Sequence, residues 1–124
     1  MKMPLDDSKL IYMQIADSIE DEVISGALNE GEQVYSTNQF AKLYGINPAT
    51  AAKGINLLVE EGILFKKRGI GMFVAEGAKD RIVDKRKRIF VEEYITKLIH
   101  EARKLNITKE ELLDIIRSYE GGDK

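Results

Sequence analysis

Two helix openings follow one another closely between Ser36 and Pro48, and that spacing limits what the chain can fold into more than any other feature. Ser36 is followed three residues later by Gln39, a pairing in which a hydroxyl and a carboxamide each satisfy an orphan backbone N–H at a helix start. The helix beginning there carries Phe40, Ala41 and Leu43 on one face. Gly45 closes it, because a residue without a Cβ takes the left-handed conformation without a clash. Asn47, a favoured N-cap, and Pro48, whose fixed φ suits the first helical position, open a second helix over residues 48–61. Helices joined this tightly cannot lie side by side in a long hairpin. A helix-turn-helix uses such a turn to push its second helix into a DNA major groove.

In the second helix Ala51, Ile55, Leu58 and Val59 fall at steps that place them on one face, leaving Ala49, Thr50, Lys53 and Asn56 on the other. Gly62 ends it. Ile63-Leu64-Phe65 and Met72-Phe73-Val74 then flank Lys66-Lys67-Arg68-Gly69-Ile70-Gly71, the pattern of a β-hairpin with a basic, glycine-bearing tip. The expected fold is mostly α with a small β-hairpin wing over residues 65–74. An N-terminal winged helix-turn-helix spans residues 1–76 and a two-helix C-terminal dimerisation tail residues 77–124.

Upstream, Ile11, Ile15, Ile19 and Val23 recur at four-residue steps, so residues 11–25 form an amphipathic helix with Tyr12, Ala16 and Ile24 alongside. Asp17, Glu20, Asp21 and Glu22 are expected on its exposed side, where they would repel phosphate and keep this helix behind the DNA-reading pair. Residues 27–32 read as a turn before Gln33-Val34-Tyr35. Downstream, Val91, Ile95, Leu98, Ala102 and Leu105 alternate steps of four and three, the spacing of a seam that faces another helix, and Tyr94 and Ile99 widen it. Leu105-Asn106-Ile107 breaks the pattern, and Thr108 with Glu111 opens a last helix. Gly121 to Lys124 are expected to fray. Two such helices carry more apolar surface than they can cover on each other, so a homodimer is the economical arrangement.

Composition closes off other classes. With no cysteine there is no disulfide or thiolate metal site, and a cytoplasmic setting is compatible. No apolar run is long enough for a membrane span, and the first seven residues lack a signal-like stretch. The lone histidine, His100, lies off the seam without metal-binding partners, and no nucleophile–base pair or phosphate loop points to an enzyme or a cofactor. The net charge of -2 is unevenly placed: residues 36–88 hold 11 of the 19 basic but 5 of the 21 acidic residues. A polyanion responds to that local field rather than to the total. Six of those eleven, Lys79, Arg81, Lys85, Arg86, Lys87 and Arg88, form a basic stretch at the start of the seam helix, as flanking phosphate contacts or as a solvated helix face.

These residues together resemble the N-terminal DNA-binding domain of the GntR family of bacterial transcription regulators. The resemblance covers Ile11 to Val74. It rests on Ile11-Tyr12-Met13-Gln14-Ile15-Ala16, Ile24-Ser25-Gly26-Ala27-Leu28, Leu43-Tyr44-Gly45-Ile46-Asn47-Pro48-Ala49-Thr50, Leu58-Val59-Glu60-Glu61-Gly62-Ile63 and Lys67-Arg68-Gly69-Ile70-Gly71-Met72-Phe73-Val74 in this order. The short tail is similar to the YtrA-like branch, whose members dimerise through two such helices. The resemblance implies a sequence-specific binder of double-stranded operator DNA, usually a repressor of its own operon and often of a transporter operon. It implies DNA contacts at Ser36, Thr37, Asn38, Asn47, Pro48, Ala49, Thr50, Lys53, Arg68, Gly69 and Gly71. Dimerisation falls on Val91, Tyr94, Ile95, Leu98, Ile99, Ala102 and Leu105. A small-molecule effector is compatible with this reading, though no residue identifies one.

Four positions depart from the family pattern. Asn38 and Ala52 stand where arginine and a basic residue are common, Tyr35 replaces a proline, and Gly54 replaces an alanine at a helix cost of up to about 1 kcal/mol. The first two motivate a competing reading, a winged-helix interaction module that has lost DNA reading.

Overall fold

In a computed structural model, which describes residues 10–120, the chain forms two compact units, the first closing at Asp84 and the second beginning at Lys85. Expectations about the first seven residues and about Gly121 to Lys124 lie outside the described span.

The first unit is built from α1 (Ile11–Ser25), α2 (Thr37–Tyr44), α3 (Pro48–Glu60), β1 (Leu64–Lys67), β2 (Gly71–Val74) and the opening turns of α4 (Ala78–Ile89). Both expected caps of the helix pair are present. Ser36 Oγ accepts from Gln39 N at 3.1 Å while Gln39 Oε1 accepts from Ser36 N at 2.7 Å, and Asn47 Oδ1 accepts from Ala49 N at 2.7 Å. Gly45 has φ 65° and ψ 40°, and the following Ile46 N donates to Ala41 O at 2.9 Å, so the end of α2 is satisfied within the turn.

Ile15 and Ile19 of α1 meet Ile55 and Leu58 of α3, Leu64 and Val74 of the hairpin, and Ile82 of α4, all at 2% exposure or less. Each such aliphatic side chain contributes on the order of 1.5–3 kcal/mol of burial free energy. The aliphatic rows seen in the sequence therefore converge on one core.

Three details differ from the sequence expectation. Glu20 was expected in water, yet it is 1% exposed and is not left without a partner. It lies in one helical row with Ala16 and Val23, both buried, because the face α1 turns inward is wider than one four-residue stripe. Gly54, expected as a helix penalty, is a packing requirement. A Cβ there would sit 2.5 Å from Tyr12 O and 3.2 Å from Ile15 Cβ, so its absence lets α1 and α3 approach closely. Val59, assigned to the apolar face, is only half-buried.

The hairpin pairs antiparallel in the register Leu64–Val74, Phe65–Phe73, Lys66–Met72 and Lys67–Gly71. Residues 31–34, expected as a turn and lead-in, line the outer edge of β2. Gly31 N donates to Val74 O at 2.8 Å, Val34 N to Met72 O at 2.9 Å, and Val74 N to Glu32 O at 2.9 Å. An edge that would otherwise present unpaired backbone groups is covered.

The second unit contains the rest of α4, a π-helical stretch (Phe90–Ile95), α5 (Thr96–Lys104) and α6 (Lys109–Ser118). The seam was expected on regular α-helix. Instead the backbone N–H and the hydroxyl of Thr96 both turn to Val91 O, five residues back, which widens the helix through this stretch. At the end of α5, Asn106 has φ 59° and Ile107 N donates to Ala102 O at 2.9 Å, a Schellman closure using asparagine in place of glycine. The expected Thr108–Glu111 capping box then opens α6. Ala102 and Leu112 are the buried residues of this unit among those described.

Candidate nucleic-acid interface

The expected DNA-contacting residues occupy three places on the first unit. Burial of Ala51, Gly54, Ile55 and Leu58 at one side of α3 turns Ala49, Lys53 and Asn56 outward, with Thr50 half-exposed. Ala49, Thr50 and Lys53 border a surface groove whose other wall is Leu10, Ile11 and Tyr12 at the start of α1. Lys53 Nζ lies 4.3 Å from the centre of the Tyr12 ring. An ammonium over an aromatic face is attracted by the ring quadrupole, so the long lysine side chain is held at the α3 surface. The spacing in α1 puts Tyr12 beside its apolar row and gives it no part in the site. Its place at the flank of the amphipathic stripe was the available signal.

At the start of α2, Ser36 and Asn38 are exposed and Thr37 is half-buried. Ser36 Oγ is engaged as a cap, yet backbone N–H groups of a helix's first turn still form an anion-attracting end. Asn47 and Pro48 are exposed at the start of α3, where Asn47 Oδ1 is likewise engaged as a cap by Ala49 N.

The third place is the hairpin tip. Ile70 N donates to Lys67 O at 2.9 Å and Gly69 has φ 77°, the combination of a type II turn, which needs glycine at its third position. Arg68 and Ile70 are exposed, and Gly71 is half-buried. Below the tip Phe65 and Phe73 stack with centroids 5.8 Å apart, and Lys67 Nζ lies 4.6 Å from the Phe73 ring. Gln33 Nε2 donates to Ile70 O at 3.1 Å, which ties the tip to the segment beside β2. A Cβ on Gly71 would run into that same Nε2.

Arg81, counted in the sequence among possible phosphate-facing cations, is used internally. Its Nη1 donates to Gly62 O and to Glu76 O, each at 3.0 Å, joining the end of α3 to the turn after the wing. Neither Gly62 O nor Glu76 O could be found from sequence spacing. His100 is exposed, and no group of metal-ligating side chains occurs among the described residues. No helix of the described residues is long and apolar enough to cross a membrane.

Comparison with known proteins agrees with this geometry. Residues 11–74 match the family model described as bacterial regulatory proteins, gntR family. The chain is 34% identical over 116 residues to the uncharacterised HTH-type transcriptional regulator YhcF of Bacillus subtilis, covering 93% of this chain and 94% of YhcF. It is 29% identical over 118 residues to the HTH-type transcriptional repressor YtrA of the same organism, covering 92% and 90%. Among solved structures, a GntR-family protein from Bacteroides thetaiotaomicron superposes with a TM-score of 0.74 at 32% identity, covering 86% of this chain and 93% of that one. These relatives are named as regulators rather than enzymes, and the chain belongs to the GntR family of bacterial regulatory proteins as a DNA-binding transcription regulator.

Proposed function

We propose that the chain is a homodimeric repressor of its own operon, one that encodes a transporter, with α3 in the major groove and the wing at the minor groove of operator DNA. The observation that carries the reading is the two-sidedness of α3: Ala51, Ile55 and Leu58 are fully buried while Lys53, steadied by Tyr12, and Thr50 face outward. Backbone contacts by lysine and arginine position such a protein, and side chains such as Thr50 and Asn56 have the donors and acceptors that base edges require. Ser36, Thr37, Asn38, Asn47, Pro48 and Ala49 would approach phosphate at the two helix starts, and Arg68, Gly69 and Gly71 the minor groove.

The dimer reading is supported by the second unit. Tyr94 is 65% exposed, Val91 54%, Leu98 39% and Leu105 62% within a single chain, a concentration of apolar surface that a second copy would cover. Such pairing would present two recognition helices to a two-fold-related site. The name of the relative YtrA supports repression as the direction of control.

Gel-shift titration with the DNA upstream of the chain's own gene tests the proposal. A salt-sensitive, sequence-preferring complex is expected, and Lys53→Ala or Arg68→Ala should each weaken it by about tenfold and lower the salt slope by about one. The interaction-module reading, favoured by Asn38 and Ala52, forecasts dimers that give no operator protection. Protection insensitive to both substitutions would overturn the placement of α3 and the wing.

A further inference from the structure

Behind the start of α2, the first unit has a partly open pocket of about 240 Å³ between α1, α2 and the segment beside the wing. One wall is aromatic. Tyr35 meets Phe40 edge-on at 5.5 Å, and Phe40 lies nearly parallel to Tyr44 at 6.3 Å. Ile19, Leu28 and Leu43 supply aliphatic surface, while Glu22 and Gln33 supply the polar groups besides the tyrosines. The Tyr44 hydroxyl already pairs with Ser18 Oγ at 3.1 Å. No lysine or arginine lines the pocket, so its only formal charge is the Glu22 carboxylate.

The geometry points to a site for a small aromatic amine within the DNA-binding unit, one that acts on DNA affinity. This rests on the regulator reading above. A dry apolar cavity of roughly 150 Å³ admits a benzene ring, so this pocket has room for a ring and a short chain beside it. The aromatic wall suits the ring, and Glu22 with the tyrosine faces suits an ammonium. The same wall disfavours an anion of equal shape, which would be desolvated beside a like charge.

The pocket is placed to be read by both DNA-facing elements. Gln33, on its wall, holds the wing tip through Ile70 O, and Val34 holds Met72 O at 2.9 Å. Tyr35 immediately precedes the Ser36 cap, so a guest that moves its ring pulls on the first turn of α2. A ligand favoured by one arrangement of residues 33–36 shifts the balance between arrangements by its difference in affinity.

Titration of the full chain with 2-phenylethylamine, followed by methyl NMR, tests the site. Saturable shifts confined to Ile19, Leu28, Val34 and Leu43 are expected, with none for phenylacetate, which has the same ring and the opposite charge. Glu22→Gln should weaken amine binding by about tenfold, and Leu43→Trp, which fills the space, should abolish it. In saturating amine, the affinity for an operator fragment should change by at least about fivefold. Absence of saturable shifts, or equal binding of phenylacetate, would overturn the site, and unchanged operator affinity in saturating amine would overturn its coupling to DNA. The NMR readout needs no DNA, so a failure to bind any operator counts against the regulator reading alone.

Discussion

At the scale of single residues, Lys53 and Gly54 are adjacent in α3 but answer to opposite demands. Lys53 faces outward over the Tyr12 ring, and Gly54 faces inward against Tyr12 O, so one residue of α1 sets the environment of both. Tyr12→Leu removes the ring that holds the ammonium. It is expected to lower operator affinity about threefold, with Tyr12→Phe close to the parent, as a cation–π contact of about 0.5–1 kcal/mol implies; fluorescence anisotropy of a labelled operator measures it. Gly54→Ala would gain about 1 kcal/mol of helix propensity in isolation. In the fold the added methyl meets backbone rather than the end of a flexible chain, so a net loss of about 1–3 kcal/mol is expected from overpacking. Urea unfolding decides the sign, and a stabilised variant would show that α1 can retreat without cost.

At the scale of elements, the helix pair and the wing are each closed by local chemistry and then tied to a neighbour. Asn47 caps α3 through Ala49 N, and Arg81 joins the far end of α3 to the turn after β2. Replacing Asn47 by alanine leaves a first-turn N–H without its side-chain acceptor and should cost about 1 kcal/mol of stability. A lowered urea midpoint with unchanged slope is the expected result. If operator affinity falls by more than the stability loss explains, Asn47 also serves the DNA. The π-helical stretch gives the second unit a different character. Its wide turns carry Phe90 and Tyr94, whose rings lie 5.7 Å apart and are both more than half exposed. Apolar side chains that pair with each other and still face water are suited to association.

At the scale of the whole molecule, the two units divide the work by chemistry. The first has a closed core and outward-facing cations, while the second buries little of its apolar surface within one chain. For that reason the stability of the second unit is expected to depend on protein concentration, as it does whenever partners bind only the folded state. Under the proposed homodimer, Leu98→Glu, which puts a charge into the seam, should convert dimers to monomers in analytical ultracentrifugation. It should also weaken operator binding by an order of magnitude or more, since two half-sites would no longer be engaged together. A variant that stays dimeric would move the interface away from α5.

What the chain declares without its tertiary structure is whatever depends on near neighbours. The Ser36–Gln39 and Thr108–Glu111 boxes, the Asn47–Pro48 start, the turn at Gly69 and the aliphatic rows of α1 and α3 are all set by interactions a few residues long. Their order was enough to recognise a winged helix-turn-helix. The fold alone decided the matters that join distant residues: that Glu20 is buried, that Gly54 must lack a side chain, that Tyr12 serves Lys53, and that Arg81 and Gln33 tie elements together. Spacing along a chain reports which face a residue shares with its neighbours. Which other segment comes to meet that face, and how closely, is settled only when the core closes.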